Sequence, residues 1–541
     1  TLTPFRKILI ANRGEIALRV MRTAKRLGYG TVAVYSAADS NARHVREADQ
    51  AVWIGESQPS QSYLRIDAIV AAAKASGADA VHPGYGFLAE NADFAKACRD
   101  AGLVFIGPSP EAIHAMGNKA GAKDIMEKAG VPCVPGYQGE DQSDATMLTA
   151  AKRIGFPVMI KAVAGGGGRG MRLVADDAVF PDALRAARSE AQNAFGDPNV
   201  ILERAIIQPR HIEIQVFGDR HGNAIHLGER DCSVQRRHQK VVELAPAPNL
   251  DAGVRQQILD AALAVGRAVG LDNAGTVEFL VDADTGAFYF IEVNPRIQVE
   301  HTVTEVVTGY DIVRSQILIA AGVPLADPQV GLGDQAAVRT QGFAIQCRVT
   351  TEDPANGFVP DYGRLTAYRS SGGPGIRLDA GTAFGGAVIT PYYDSLLVKV
   401  TAWGHTPDEA IARMDRALRE FRIRGVASNL QFLENVIDHP LFRSGECTTR
   451  FIDTTPELFT FQRRRDRGSK LLKFLGEVAV NGNPEMKGRA LPQLPLGKPL
   501  KPRCDLLQAP PPGTRDRLKE MGAEKFAEWM KAEQRVLLTD T

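Results

Sequence analysis

The chain has 541 residues, of which 44% are hydrophobic and 23% charged, and its formal net charge is +1. That length suggests about three or four domains of ~150 residues each, and the near-neutral balance gives no case for nucleic acid as the main partner. Six cysteines are scattered singly, which argues for a reducing compartment and against a disulfide framework or a zinc ribbon. No apolar run approaches the ~20 residues of a membrane span. FRKILIAN enters a strand almost at once, so no signal or transit segment is expected and a cytoplasmic location is.

Residues 1–115 alternate short apolar runs (KILIAN, TVAVYS, ADAVHPG, LVFIGPS) with amphipathic stretches such as IALRVMRTAKRLG. This βαβ alternation predicts a small doubly wound α/β sheet. NRGEIA, not GxGxxG, follows its first strand, so no nucleotide site follows in this unit. MGNKAGAKDIMEKAG reads as a helix leading into VPCVPGY. Residues 134–205 predict helix, strand (PVMIKAV), Gly-rich loop, strand (MRLVAD), helix and strand (VILERAI). Residues 206–330 predict two antiparallel-type strands (HIEIQVFGD, AIHLGERDCSV), a helix, and the strands TVEFLVD and FYFIEVN. Residues 335–450 are strand-rich (FAIQCRVT, GRLTAYR, SLLVKVTAWG) and closed by the helix DEAIARMDRALREFRI. Residues 451–541 change character: a charged, partly helical stretch precedes seven prolines between Arg489 and Gly513, which predict an extended linker.

The most informative segment is FYFIEVNPRIQVEHTVTE, residues 288–305. An apolar run of strand composition is followed closely by Glu292, Asn294, Arg296, Gln298, Glu300 and His301. If the extended form persists past Pro295, the first five project to one face, because residues two apart share a side of a strand. That face offers a carboxylate and an amide for a hard cation, a guanidinium for an anion, and a second carboxylate for proton work. Glu278 and Glu292 lie on successive strands joined by the short turn ADTG, so hairpin pairing sets them side by side. Like charges placed opposite one another destabilise a sheet, and Mg²⁺ shared with ATP phosphates resolves the conflict.

The loop Gly165–Gly170 formally matches GxGxxG, but a strand-like segment follows it where the dinucleotide fingerprint needs a helix. A strand–loop–strand hairpin covering phosphates fits better, because NH groups unencumbered by Cβ approach phosphate oxygens closely. Lys119 and Lys161 are candidate point charges for those phosphates. The stretch RDCSVQRRHQK gathers Arg230, Arg236, Arg237, His238 and Lys240 without interleaved aromatics, which favours a compact anion pocket over a nucleic-acid surface.

Together, ILIANRGEIA, HPGYGFLAEN, GNKAGAK, IKAVAGGGGRGM, RHIEIQV, RDCSVQRRHQKVVE, EVNPRIQVEHTVTE and CRVTTEDP resemble the biotin carboxylase component of biotin-dependent carboxylases, an ATP-grasp enzyme. The resemblance implies an ATP-grasp fold: an N-terminal βαβ subdomain, a Gly-loop lid, a mixed-sheet catalytic subdomain and a strand-rich C-terminal subdomain. It implies that Lys119 and Lys161 hold ATP phosphates under a lid that includes Gly165, Gly166, Gly167 and Gly168. Glu203, Arg204 and Ile206 would line the adenine site, and His211, Gln235 and His238 would contact the nucleotide. Glu278 and Glu292 would bind Mg²⁺ or Mn²⁺, with Asn294 nearby. Lys240, Arg296, Gln298 and the Val299 backbone would hold bicarbonate, Glu300 would deprotonate it, and Arg348 would stabilise the biotin enolate.

The continuation RRRDRGSKLLKFLGEVAVNGNP is similar to the pyruvate carboxylases, in which an allosteric linker domain follows the biotin carboxylase and precedes a carboxyltransferase barrel. That resemblance implies acetyl-CoA as activator, with Arg422, Arg424, Arg464 and Arg467 as candidates for its phosphates. It also implies biotin on a carrier domain absent from this chain, and a dimer of this part within a tetramer. Three other readings compete: the biotin carboxylase part of an acyl-CoA carboxylase, another ATP-grasp carboxylate–amine ligase, and a non-catalytic module that binds nucleotide or acyl-CoA.

Overall fold

The computed structural model describes residues 5–117, 125–163, 171–461 and 467–481, although side chains at 194–195, 467–470 and 481 fall outside the description. The chain divides into two compact units, Thr1–Thr460 and Phe461–Thr541. Of the second, the helix Arg467–Asn481 is described, with Leu471, Phe474 and Leu475 exposed along it. Among the described residues, no helix is long and apolar enough to cross a membrane.

The predicted βαβ alternation forms a five-stranded parallel sheet of order β3-β2-β1-β4-β5, from β1 (Lys7–Ile10), β2 (Gly30–Ser36), β3 (Gln50–Gly55), β4 (Ala80–His82) and β5 (Val104–Phe105). Leu9, Val32, Val34 and Val81 pack one face with Ile69, Ala73 and Phe94 of the helices Ile66–Ser76 and Ala92–Asp100. Ile8, Ile10 and Ala33 pack the other with the helix Gly14–Arg26, in a core that also holds Ile297, Ile312 and Ile317 from far along the chain. The two faces are thus wound as the strand and helix periods require.

A four-stranded antiparallel sheet follows, of order β6-β9-β7-β8, from β6 (Gly136–Tyr137), β7 (Val158–Ala162), β8 (Met171–Val174) and β9 (Val200–Arg204). The helices Asp144–Ile154 and Phe180–Phe195 cover one face through Met147, Ile154, Phe180 and Leu184. Of MGNKAGAKDIMEKAG, residues 118–124 fall outside the described residues, Met116 and Gly117 end the helix Pro110–Gly117, and 125–128 are helical.

The largest sheet has eight strands. β10 (Pro209–Gly218), β11 (Ala224–Arg236), β12 (Gln239–Ala245), β13 (Ala274–Asp282), β14 (Phe288–Asn294) and β15 (Phe343–Thr350) run in the order β14-β13-β10-β11-β12-β15, followed by Leu396–Gly404 and Ile376–Ala380. Every pairing in it is antiparallel. The mixed sheet that the resemblance implied reduces, among the described residues, to one parallel bridge between Cys133 and Phe290 at its edge. Pairing of β12 with β15 carries the sheet without a break from residues 206–330 into residues 335–450.

β10 shows how such a strand is built. It is buried along its whole length, yet polar and apolar residues alternate. Ile212, Ile214 and Val216 pack against Ile258, Ala262 and Val265 of the helix Ala252–Ala268. His211, Glu213 and Gln215 therefore point to the opposite face, and that face carries the site.

Candidate active site

The polar face of the large sheet lines a cavity of about 1900 Å³. Two bulges aim the side chains at it. On β14, Glu278 pairs with Glu292 but Phe279 pairs with Phe290, so Ile291 is extra. The kink sends Phe290 and Val293 to the core and leaves Glu292 opposite Glu278 on the cavity side. On β12, Gln235 pairs with Lys240 but Val234 pairs with Val242, so Val241 is extra. Lys240 and Glu243, three residues apart, thereby reach the same cluster.

At its centre Lys240 Nζ donates to Glu213 at 2.5 Å, Glu300 at 2.7 Å and Glu278 at 2.8 Å. Glu300 also accepts from Arg348 Nη2 at 3.1 Å, and Arg348 Nε donates to the fully buried Glu243 at 2.6 Å. Glu278 accepts from Asn294 and Gln298 at 2.9 Å each, and its second oxygen lies 2.8 Å from His211 Nε2. Gln235 Nε2 faces His211 Nδ1 at 3.2 Å; an amide can only donate there, which puts the imidazole proton on Nε2, toward Glu278. Arg296 donates to Asn294 Oδ1 at 2.9 Å, and the Glu90 carboxylate lies 3.3 Å from its Nε.

Burial alone would lower the lysine and raise the carboxylates. The charges outweigh it. Glu213, Glu300 and Glu278 hold Lys240 well above the usual ammonium range. Lys240 and His211 hold Glu278 well below the carboxylate range, and Lys240, Arg348 and Arg230 do the same to Glu300. Glu243 is the exception: burial raises it despite Arg348.

The structure thus brings together Lys240, Glu278, Asn294, Arg296, Gln298, Glu300 and Arg348, by a different route from the one expected. The extended form does not persist past Pro295: β14 ends at Asn294, and Glu300 caps the helix His301–Thr308 with φ −84° and ψ 5°. The loop 295–300 folds back over the sheet, and Gln298, Val299 and Glu300 line the cavity from it. Glu203, Arg204 and Ile206 line the same cavity, and Lys161 pairs with Glu203. His238 lines it from the β11–β12 turn, with φ 64°. Lys119, Gly165, Gly166, Gly167 and Gly168 lie outside the described residues.

Of the cations in RDCSVQRRHQK, Arg236, His238 and Lys240 line the cavity, Arg236 with its guanidinium over the Phe358 ring at 4.3 Å, whereas Arg230 is fully buried on β11. Arg422 and Arg424 are exposed on a short strand and neither lines the cavity. Arg464 and the Arg467 side chain lie outside the described residues.

Sequence reasoning missed Glu213 and Glu243, and it counted Arg230 among the anion-pocket cations where the structure makes it a buried tie between Glu213 and Gln298. The signal for Glu213 was present: HIEIQV alternates branched apolar residues with Glu and Gln, the pattern of a strand with one polar buried face. NRGEIA, set aside as carrying no nucleotide site, supplies Asn12, Arg13, Gly14 and Glu15 to the cavity wall.

The donor set suits a hard cation. Glu278 and Glu292 face each other across one strand pair, and the Asn294 amide lies two residues on, giving oxygen ligands of the kind Mg²⁺ takes.

Family models agree with this geometry. Those described as biotin carboxylase N-terminal domain and C-terminal domain match residues 4–113 and 346–454, and carbamoyl-phosphate synthase L chain, ATP binding domain, matches 118–327. The biotin carboxylase domain of Hydrogenobacter thermophilus 2-oxoglutarate carboxylase, a dimer holding MgADP, ADP and bicarbonate, is 45% identical over 86% of this chain and 100% of its own, with TM-score 0.78. The chain belongs to the biotin carboxylase family. Its biotin carboxylase part is followed by residues that also align with pyruvate carboxylases. That of Bacillus subtilis is 51% identical over 536 residues, 99% of this chain and 46% of that protein. A Rhizobium etli pyruvate carboxylase with acetyl coenzyme-A is 52% identical over 91% of this chain and 46% of its own, with TM-score 0.81. The chain spans about half the length of the curated relatives it matches.

Proposed function

We propose that this chain carboxylates biotin with ATP and bicarbonate through carboxyphosphate, as the first half-reaction of a pyruvate carboxylase. The observation that carries the reading is the Lys240–Glu300–Arg348 chain of ion pairs in a cavity that the Lys161–Glu203 pair also lines. A carboxylate–amine ligase needs a nucleotide wall but has no use for a carboxylate held between two buried cations. The match to pyruvate carboxylases extends past residue 454, where the last biotin carboxylase model ends, and this supports pyruvate over an acyl-CoA as final acceptor.

Bicarbonate is a poor electrophile, and phosphorylation activates it. Most of the catalysis is then positioning and charge neutralisation of a phosphoryl transfer. Lys240, Arg296 and Gln298 hold the anion against the Val299 backbone. Glu300 takes its proton. Alone, a carboxylate held so acidic is a poor base; bicarbonate that shares Lys240 loosens its grip on Glu300 and restores basicity as it binds. Arg348 stays charged throughout and can neutralise a biotin enolate without titrating. Lys161 meets nucleotide phosphates, Glu203, Arg204 and Ile206 face the adenine, and His211, Gln235 and His238 contact the nucleotide. Glu278 and Glu292, with Asn294, would hold Mg²⁺ or Mn²⁺, which supplies positive charge to the phosphates.

The proposed division is 1–115, 134–205, 206–330, 335–450 and 451–541. Biotin arrives on a carrier domain, the protein acts in the cytoplasm as a dimer within a tetramer, and acetyl-CoA activates it through Arg422, Arg424, Arg464 and Arg467. ATP hydrolysis measured with Mg²⁺ and bicarbonate, with and without free biotin and acetyl-CoA, tests the reading. Bicarbonate-dependent, biotin-stimulated turnover is expected. Glu300→Gln should abolish it and leave ATP binding intact; normal turnover in that variant defeats the base assignment.

A further inference from the structure

The loop 295–300 carries four of the groups assigned to bicarbonate, Arg296, Gln298, Val299 and Glu300, yet it belongs to no strand or helix. Something must fix its peptide planes. Two buried ties do so. His301 Nδ1 lies 2.7 Å from the Gln298 carbonyl, which can only accept, so the proton is on Nδ1 and the peptide 298–299 is pinned. Lys399 Nζ donates to the Val299 carbonyl at 2.9 Å and pins the next peptide, 299–300. Because a trans peptide is planar with N–H opposed to C=O, these ties aim the Val299 and Glu300 N–H groups away from His301 and Lys399.

Lys399 stands in an unusual place. Its side chain is fully buried, and its carboxylate partner is Glu15, at 3.1 Å. Glu15 also accepts from the Tyr85 hydroxyl. Lys399 lies directly opposite Arg348 in the sheet register. Gly14, whose φ of 63° suits glycine, opens the helix that presents Glu15. Buried ion pairs can commonly be replaced by apolar residues without loss of stability, so stability alone does not call for a lysine here. A fixed Val299 carbonyl does.

We propose that Lys399, held by Glu15, is a positioning residue that sets the loop 295–300 in its bicarbonate-binding form. This rests on the reading of the site as a bicarbonate site. It predicts a specific defect. In Lys399→Met, KM for bicarbonate should rise about tenfold or more, the scale of one charge-assisted hydrogen bond, while KM for ATP stays unchanged. Amide hydrogen exchange should quicken at residues 298–301 and not in the rest of the sheet.

The experiment compares the wild-type chain, Lys399→Met and Glu15→Gln by steady-state ATP hydrolysis and by hydrogen exchange, with thermal unfolding as the check on folding. Glu15→Gln leaves the Val299 contact but removes the counter-ion, and should shift bicarbonate KM in the same direction by less. Unchanged bicarbonate KM in a folded Lys399→Met overturns the proposal, as does an equal loss for ATP and bicarbonate. If Lys399→Met does not fold, Glu15→Gln decides, and an unchanged bicarbonate KM there overturns it. A wild-type chain without bicarbonate-dependent turnover defeats the functional reading instead, and loop exchange in the variants then decides the positioning role alone.

Discussion

Replacing Arg230 with Met tests how the site is held together. The guanidinium is fully buried and spends all five N–H groups: on Glu213 at 2.5 Å, Gln215 at 2.9 Å, Thr304 at 3.0 Å, Thr276 at 3.1 Å and Gln298 at 3.2 Å. The substitution keeps length and removes every donor. Glu213, itself fully buried, is left with Lys240, and the Gln298 amide oxygen loses its partner. Removing one member of a buried pair costs about 3–5 kcal/mol. At ~2–4 °C per kcal/mol for a domain of this order, the unfolding midpoint should fall by about 10 °C. Urea and thermal unfolding followed by circular dichroism measure this. The companion variant Arg230→Met/Glu213→Leu removes both charges and should recover most of the loss, because an ion pair exchanged for apolar residues is close to neutral. Both variants should be inactive, since Lys240 and Gln298 lose their anchors. A double variant no more stable than the single one would refute the argument that the unpaired Glu213 is the source of the cost.

Two further outcomes follow from packing and protonation. A Cβ on Gly381 would lie 2.2 Å from the Glu15 nitrogen and 2.3 Å from the Gly14 carbonyl carbon, both backbone atoms. Gly381→Ala should therefore cost about 2 kcal/mol of stability, read by urea unfolding, and unchanged stability would show that the close approach is relieved without strain. His82 is buried with Nδ1 accepting from the Gly84 N–H at 3.0 Å and Nε2 facing Gln316 at 3.2 Å, and burial pushes its pKa down to about 4. Its folded pKa lies below the unfolded value, so its contribution is complete at neutral pH and is lost as pH falls through ~6.5 toward 4, with about 2 kcal/mol gone at pH 5. His82→Gln should flatten the stability profile between pH 7 and pH 5 by that amount; parallel profiles for the two proteins would contradict it.

The βαβ sheet was legible because its strands are continuous apolar runs and its helices carry one apolar face. Residues 288–305 were legible for a different reason: charged and amide groups directly after a strand have no cheap resting place except a site. What the sequence hid is geometry that depends on pairing. Period-two reasoning puts Lys240 and Glu243 on opposite faces, and the extra residue Val241 brings them to one cluster. The same reasoning extended the strand through Pro295, whereas the loop 295–300 takes its course from Lys399, about a hundred residues later in the chain. Arg230 and Lys240 look alike in RDCSVQRRHQK. The strand neighbours Glu213, Gln215 and Thr276 are what make one a structural tie and the other a cation at the cavity floor.

The low basicity that Lys240 and Arg348 impose on Glu300 bears on how the proposed reaction is controlled. Four buried carboxylates, Glu213, Glu243, Glu278 and Glu300, share Lys240, Arg230 and Arg348, and each cation has at least two anionic or polar partners. In such a network Lys240 and its neighbouring cations hold Glu278 and Glu300 ionised. A base created only when the substrate anion competes with Glu300 for Lys240 is silent while bicarbonate is absent. ATP bound alone then meets a floor whose cations are already paired with carboxylates, with no activated nucleophile to receive its phosphoryl group. Tight internal pairing, which by itself makes Glu300 a poor base, is on this argument what ties ATP consumption to the presence of bicarbonate.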